Sequence, residues 1–223
     1  MAPEEDGRTA RKRRQIMEAA RPVFLRNGYV GASMDEVAAL AAVSKQTVYK
    51  HFTDKEQLFT SIILDTTTQV EGLARLITAA LDDSEDLEKD LGELARQFLG
   101  ALMRPDVLRL RRLVIAEADR FPDLGRTWYQ QGFERSLETL AAAFGRLADR
   151  GLLRLDDPEL AAQHFVGLLL WIPVNKVMFW GGGDHYTEAD LERLSEAAVA
   201  AFLRAYGAAS SGTSRARRSA AQA

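Results

Sequence analysis

Apolar residues recur along this chain at spacings of three and four, and no stretch alternates apolar with polar positions as a strand does. The spacing predicts a first helix over residues 9–26, with Ile16, Ala19, Ala20, Val23 and Phe24 on one face and Asn27-Gly28 as its stop. Met34, Val37, Ala38, Leu40 and Ala41 predict a short second helix. Ser33 opens it as an N-cap, and Glu36 three residues later completes a capping box. Ser44 caps a third helix, on which Val48 and Phe52 sit one turn apart and anchor it inward. Thr53 or Asp54, with Glu56 in a second capping box, opens a long fourth helix through Leu58, Phe59, Ile62 and Ile63 to about residue 80. Helical spacing continues over 85–103, 106–119 and 122–150, where Gly151 ends the pattern, and then over 158–180 and 187–206.

Two positions disturb this pattern. Pro22 lies inside the first helix, removes a backbone bond and predicts a local kink, at a cost of up to ~3 kcal/mol. Ala42 stands at the corner after the second helix. Either it takes a left-handed conformation, at a cost to an alanine of roughly 1–2 kcal/mol, or the corner differs slightly in geometry.

The polar positions give the short helices a purpose. Lys45, Gln46, Thr47, Tyr49, Lys50 and His51 all hydrogen-bond, and they cover three sides of the third helix. A brace helix, a sharp corner and a polar second helix make a helix-turn-helix, which presents that polar helix to the DNA major groove. Tyr49, His51 and the two lysines suit phosphate oxygens, while Gln46 and Thr47 suit base edges. The arginines and lysine from Arg8 to Arg14 suit phosphates as a cluster, or form a solvated basic face. Lys55 stands in the first turn of the fourth helix. The helix dipole disfavours a cation there, and a phosphate contact explains it.

The run over residues 16–59 carries Asn27-Gly28-Tyr29 before the motif and the segment from Thr47 to Lys55 at its end. It resembles the DNA-binding domain of the TetR family. The resemblance implies an all-helical homodimer that represses transcription and is released by a small ligand. It also implies operator contacts at Ser33, Lys45, Gln46, Thr47, Tyr49, His51 and Lys55, to which Ser44 and Lys50 are added from their place on the same helix. Further along, Arg112 to Ala118, Phe121 to Leu124 and Leu155 to Ala162 resemble the C-terminal domain of AefR-like members of that family. The expected fold class is all-α, with a three-helix helix-turn-helix domain over 9–55 and a larger helical effector-binding and dimerisation domain over 56–206. A disordered arm over 1–8 and a disordered basic tail over 207–223 flank them.

Charge supports the division. The net charge of −3 conceals +3 over residues 1–55, −9 over 56–206 and +3 over 207–223. Only a basic end of an acidic body should approach DNA. Hydrophobic residues at 47% and charged residues at 27% suit a soluble globular protein. The chain has no cysteine, which excludes disulfides and thiolate zinc sites, and His51, His164 and His185 lack metal-ligand spacing. No cofactor is expected. The apolar run over 165–180 is interrupted by Pro173, Asn175 and Lys176 and is short for a bilayer, so no membrane contact is expected and the compartment is the cytoplasm.

Aromatic residues of the larger domain, Trp128, Tyr129, Phe133, Phe144, Phe165 and Trp171, are candidates to line an apolar pocket, with His164 or Gln163 as polar handles. The same residues also serve as ordinary core and interface. A ligand there is mostly apolar, aromatic or cationic. Arg109, Arg111, Arg112 and Glu117 read as an ion-paired surface. The helix over 158–180 is apolar nearly all round, and with the last helix it suits an antiparallel pair that doubles into a four-helix homodimer interface. A helical enzyme finds no nucleophile–base pair, phosphate loop or metal cluster to support it. A helical small-molecule-binding dimer without DNA-dependent regulation leaves the polar third helix unexplained.

Overall fold

A computed structural model describes residues 3–181 and 185–208. The described residues form helices α1 (Pro3–Gly31), α2 (Met34–Leu40), α3 (Lys45–His51), α4 (Lys55–Ala79), α5 (Leu87–Leu102), α6 (Pro105–Glu117), α7 (Pro122–Trp128), α8 (Arg135–Asp149), α9 (Pro158–Trp180) and α10 (Glu188–Tyr206). A 3-10 turn, Ala80–Asp83, follows α4, and a π turn, Tyr129–Glu134, separates α7 from α8. No strand occurs among the described residues, and the fold is all-α. The chain divides into two compact units.

The first unit comprises residues 1–73, 101–136 and 177–181. Its core joins Ile16, Val23 and Phe24 of α1, Val37 of α2, Val48 of α3 and Phe59 of α4 with Leu110 and Val114 of α6 and Leu124 of α7. The three head helices therefore share one apolar core with α6 and α7. Phe24, Tyr29 and Phe59 form an aromatic cluster in it, with ring centroids 4.8–6.1 Å apart.

Several local expectations change. α1 begins at Pro3, ahead of the expected arm boundary, since only Gly7 interrupts helix-forming sequence there. Its backbone stays helical at Pro22 and departs at Gly28 (φ 69, ψ 175), where glycine adopts the left-handed φ freely. Leu40, expected inward, is 55% exposed because it lies about 60° beyond Val37, at the edge of the buried arc of α2. Asp54, rather than Thr53, caps α4 through the amide of Gln57 at 2.7 Å, and the Gln57 side chain returns to the amide of Thr53 at 2.7 Å. The single helix expected over 122–150 is broken by the π turn. At Gly132 an added Cβ would come within 3.0 Å of Thr67 Cγ2, so α4 runs close against the widened turn.

The second unit comprises residues 74–100, 137–176 and 182–223. Its centre is an aromatic triad, Phe144 on α8, Phe165 on α9 and Phe202 on α10, with centroids 5.0–5.5 Å apart. Arg150, at the end of α8, donates to the carbonyls of Leu81, Asp82 and Ser84 at 2.6–2.9 Å and so caps the 3-10 turn. Gly151 (φ 74) reverses the chain. Gly207 pairs with Leu153, and the Ala208 amide donates to the Leu152 carbonyl at 3.1 Å, so the start of the expected basic tail is held by backbone bonds. The rest of that tail, 209–223, and most of the expected glycine stop, 182–184, lie outside the described residues.

By length and composition α9 could cross a bilayer, but half of its most apolar stretch is buried within the protein. Phe165 and Leu169 are fully buried there.

Candidate nucleic-acid interface

The reading helix is held from inside by apolar contacts and from its ends by hydrogen bonds. Val48 and Phe52 are fully buried. Ser44 caps the start through the Thr47 amide at 3.1 Å, and its hydroxyl also meets that of Thr47 at 2.8 Å. With those contacts made, Lys45, Gln46, Tyr49 and Lys50 stand exposed on the outer side, while Thr47 and His51 are half-buried. The corner before the helix closes on Ala42 at φ 50, a left-handed alanine. Gln15 of α1 reaches this corner and donates to the Ala41 carbonyl at 2.8 Å.

The brace helix is pinned in a similar way. Ser33 accepts from the amides of Asp35 (3.1 Å) and Glu36 (3.5 Å). The Glu36 side chain does not return to Ser33. It takes Arg26 and Asn27 instead, tying α2 to the end of α1. Lys45 pairs with Asp35 at 2.7 Å, and this hydrogen bond and the charge of Asp35 raise the lysine pKa. Both side chains are well exposed, so the pair is weak and can open to another anion.

Two cations expected at phosphates have internal partners. The Arg13 guanidinium lies 4.3 Å over the Phe52 ring and donates to the His51 carbonyl at 3.1 Å and to Ser61 Oγ at 2.7 Å. It thus joins α1 to the end of α3 and to α4. Lys55 donates to the carbonyls of Val30 and Ala32 at 3.0 and 3.1 Å, over the Tyr29 ring. These carbonyls at the end of α1 explain a lysine in the first turn of α4 without any phosphate. Burial, and then the charges of Lys50, Arg13 and Lys12, lower the His51 pKa.

The candidate pocket residues fall in both units. In the first, Trp128 packs on the core, and Tyr129, 51% exposed, stacks on Phe133 at 5.4 Å within the π turn. In the second, Phe165 belongs to the aromatic core, whereas Trp171 is 68% exposed and His164, also exposed, meets the Tyr206 hydroxyl. A cavity of about 810 Å³ in the first unit has other walls, among them Arg13, Arg21, Asp65, Arg104 and Asp106.

Residues 16–62 match the family described as bacterial regulatory proteins, tetR family, and residues 89–208 match the AefR-like transcriptional repressor C-terminal domain. The chain belongs to the TetR family. It is a DNA-binding transcriptional regulator with an AefR-like C-terminal domain, and not an enzyme. Among its relatives is the HTH-type transcriptional repressor AcnR of Corynebacterium efficiens, 28% identical over 148 residues, which are 66% of this chain and 71% of AcnR. The crystal structure of a TetR-family regulator from Mesorhizobium loti is 50% identical with a TM-score of 0.86, covering 90% of this chain and 98% of that one. The flavonoid-responsive regulator FrrA is 30% identical with a TM-score of 0.69, covering 89% of this chain and 98% of its own. Within this TetR-family chain, α2 and α3 are the helix-turn-helix.

Proposed function

We propose that this chain is a homodimeric repressor that binds a near-palindromic operator and leaves it when a small molecule binds beyond the head. One observation carries the DNA half of this reading. The outer side of α3 consists of exposed hydrogen-bonding residues on a helix whose inner side is completely buried. Gln46 and Thr47 read base edges. Ser33, Ser44, Lys45, Tyr49, Lys50 and His51 meet phosphates. Lys55 and Arg13 act mainly by holding α1 against α4 and α3, and the third ammonium proton of Lys55 still serves a phosphate. Residues 9–55 carry these contacts and 56–206 carry effector and dimer functions. A DNA target places the protein in the cytoplasm.

The dimer reading rests on α9. In the second unit Leu168, Trp171 and Ile172 are 50–68% exposed and share one face with His164. Gly167 lies on the same face, and an added Cβ there would meet nothing within 4 Å. A glycine inside a helix costs about 1 kcal/mol relative to alanine. Its own chain supplies no reason for it, whereas a second helix in close approach does. We therefore assign Trp171 and His164 to the α9–α10 interface. For the effector we keep Trp128, Tyr129 and Phe133, since π turns concentrate at functional sites and this one carries a half-exposed aromatic stack. Phe165 supports the effector domain from its core. The flavonoid response in the name of FrrA supports a small-molecule effector.

Selection from a random duplex library at fixed salt tests the reading. Enrichment of a near-palindrome with half-sites about 34–36 Å apart, or a multiple of that, supports it. An enriched single half-site without symmetry rejects the dimer, and binding without enrichment rejects sequence-specific regulation.

A further inference from the structure

Helix α1 is tied to both ends of the reading helix. Gln15 donates to the Ala41 carbonyl, at the corner before α3, at 2.8 Å. Arg13 donates to the carbonyl of His51, the last residue of α3, at 3.1 Å. These two bonds fix where α1 crosses α3. The turns just before them stay close to that crossing, since Arg8 is only about 7–8 Å along the helix axis from Arg13. Arg8, Arg11, Lys12 and Gln15 fall within one arc of about 100°, the flank that Gln15 turns toward the corner. Arg14 belongs to another flank, where it lines the cavity with Asp65 and Arg104. Arg8 and Arg11 are exposed and make no hydrogen bond or ion pair among the described residues. Lys12 donates to Gln15 at 3.0 Å, and its remaining ammonium protons stay available. After burial, the charges of Lys50, Arg13 and Lys12 lower the His51 pKa, so α1 and the end of α3 share one positive patch.

A solvated basic face needs no fixed position. This one is held against the helix whose outer side is made of exposed hydrogen-bonding residues. We propose that Arg8, Arg11 and Lys12 form a phosphate clamp, gripping the DNA backbone at the edge of the groove that α3 enters. This rests on the DNA half of the reading above and adds a second contact surface to the head. The cations stand on a helix and not on an extended arm. A helix about 10 Å across is too wide for a minor groove of about 6 Å, so its side chains meet backbone phosphates first. Each guanidinium takes a phosphate through two parallel N–H···O bonds. Such contacts carry no sequence information. They raise affinity for every duplex and fix the angle at which α3 enters the groove. Arg13 has a different part, since its donors already hold α1 to α3 and α4.

The test measures binding of the full chain to a random-sequence duplex across a range of salt concentrations. Three variants are compared with the wild type: Arg8→Gln/Arg11→Gln, Arg8→Lys/Arg11→Lys and Arg14→Gln. The glutamine pair is expected to bind about 5- to 50-fold more weakly, with a slope of log affinity against log salt smaller by about 1.8, two phosphates at about 0.9 each. The lysine pair keeps both charges and should keep the slope. Arg14→Gln removes a charge on the cavity flank and should also keep the wild-type slope. An unchanged slope in the glutamine pair overturns the clamp. So does a slope lowered by about 0.9 in Arg14→Gln, because the charge of α1 would then act through its general field and not through placed contacts. A wild type without salt-dependent affinity for any duplex sinks the DNA reading itself, whereas wild-type binding with an unchanged slope in the glutamine pair sinks the clamp alone.

Discussion

Arg13 on α1 donates to the carbonyl of His51, at the last turn of the reading helix, at 3.1 Å. The same guanidinium covers Phe52 and reaches Ser61, so one side chain fixes where α3 ends and α4 begins. Arg13→Gln should weaken operator binding about 10- to 100-fold, the loss of one or two charge-assisted bonds. The slope of log affinity against log salt should stay unchanged, because no phosphate is lost. A slope smaller by about 0.9 would make Arg13 a phosphate contact instead.

Gln46 is exposed on the outer side of α3, and its side chain makes no hydrogen bond among the described residues. Gln46→Ala should relax base preference at one operator position by ~1–3 kcal/mol while leaving affinity for random DNA nearly constant. Tyr49→Phe should weaken both about equally. Competition binding with operator and scrambled duplex separates the two, and an equal loss on both duplexes for Gln46→Ala rejects base reading by that residue.

Ala42 holds φ 50 at the corner. Glycine there would relieve ~1–2 kcal/mol of steric strain and give back part of it as unfolded-chain entropy. Ala42→Gly should raise the unfolding midpoint by a few degrees, about 2–4 °C. A midpoint that falls would mean that the alanine methyl contributes packing worth more than the strain.

His51 has a lowered pKa, chiefly from burial and then from the charges of Lys50, Arg13 and Lys12. The unfolded chain therefore binds the proton more readily than the folded one. The neutral imidazole's contribution to stability is full above the unfolded value, near about 6.5, and declines as pH falls through it. The melting temperature of the DNA-free protein should drop more steeply from pH 7 to pH 5 in the wild type than in His51→Gln. Parallel curves would remove His51 as the cause.

Much of this architecture was legible because periodicity and capping are local. Val48 and Phe52 were marked by one-turn spacing within a polar helix, and both are fully buried. The left-handed corner at Ala42 follows from the family resemblance, in which glycine commonly stands at this corner, and not from apolar spacing. What spacing could not show was where long cations end. Lys55 and Arg13 look like pure phosphate ligands in sequence, yet the carbonyls of Ala32 and Val30, 23 and 25 residues from Lys55, and of His51, 38 residues from Arg13, also hold them. Leu40 is exposed although the other four residues of its pattern are buried, because at 3.6 residues per turn it lies about 60° beyond Val37, at the edge of their arc. The π turn left no signal in apolar spacing, although Gly132 within a helical run was a local mark of close approach.

Gly167 matters most through what a second chain would meet. Its own fold leaves open space where a side chain would begin. In the dimer we propose, a change at this position leaves the solitary subunit intact and alters only which helices can lie against it. Bacterial cells hold many regulators with this same fold, and mixed pairs would carry two unmatched heads to no operator. A glycine that folding does not require and that is decisive for pairing lets a duplicated copy become insulated from its parent by one substitution, long before the two differ in what they read or sense.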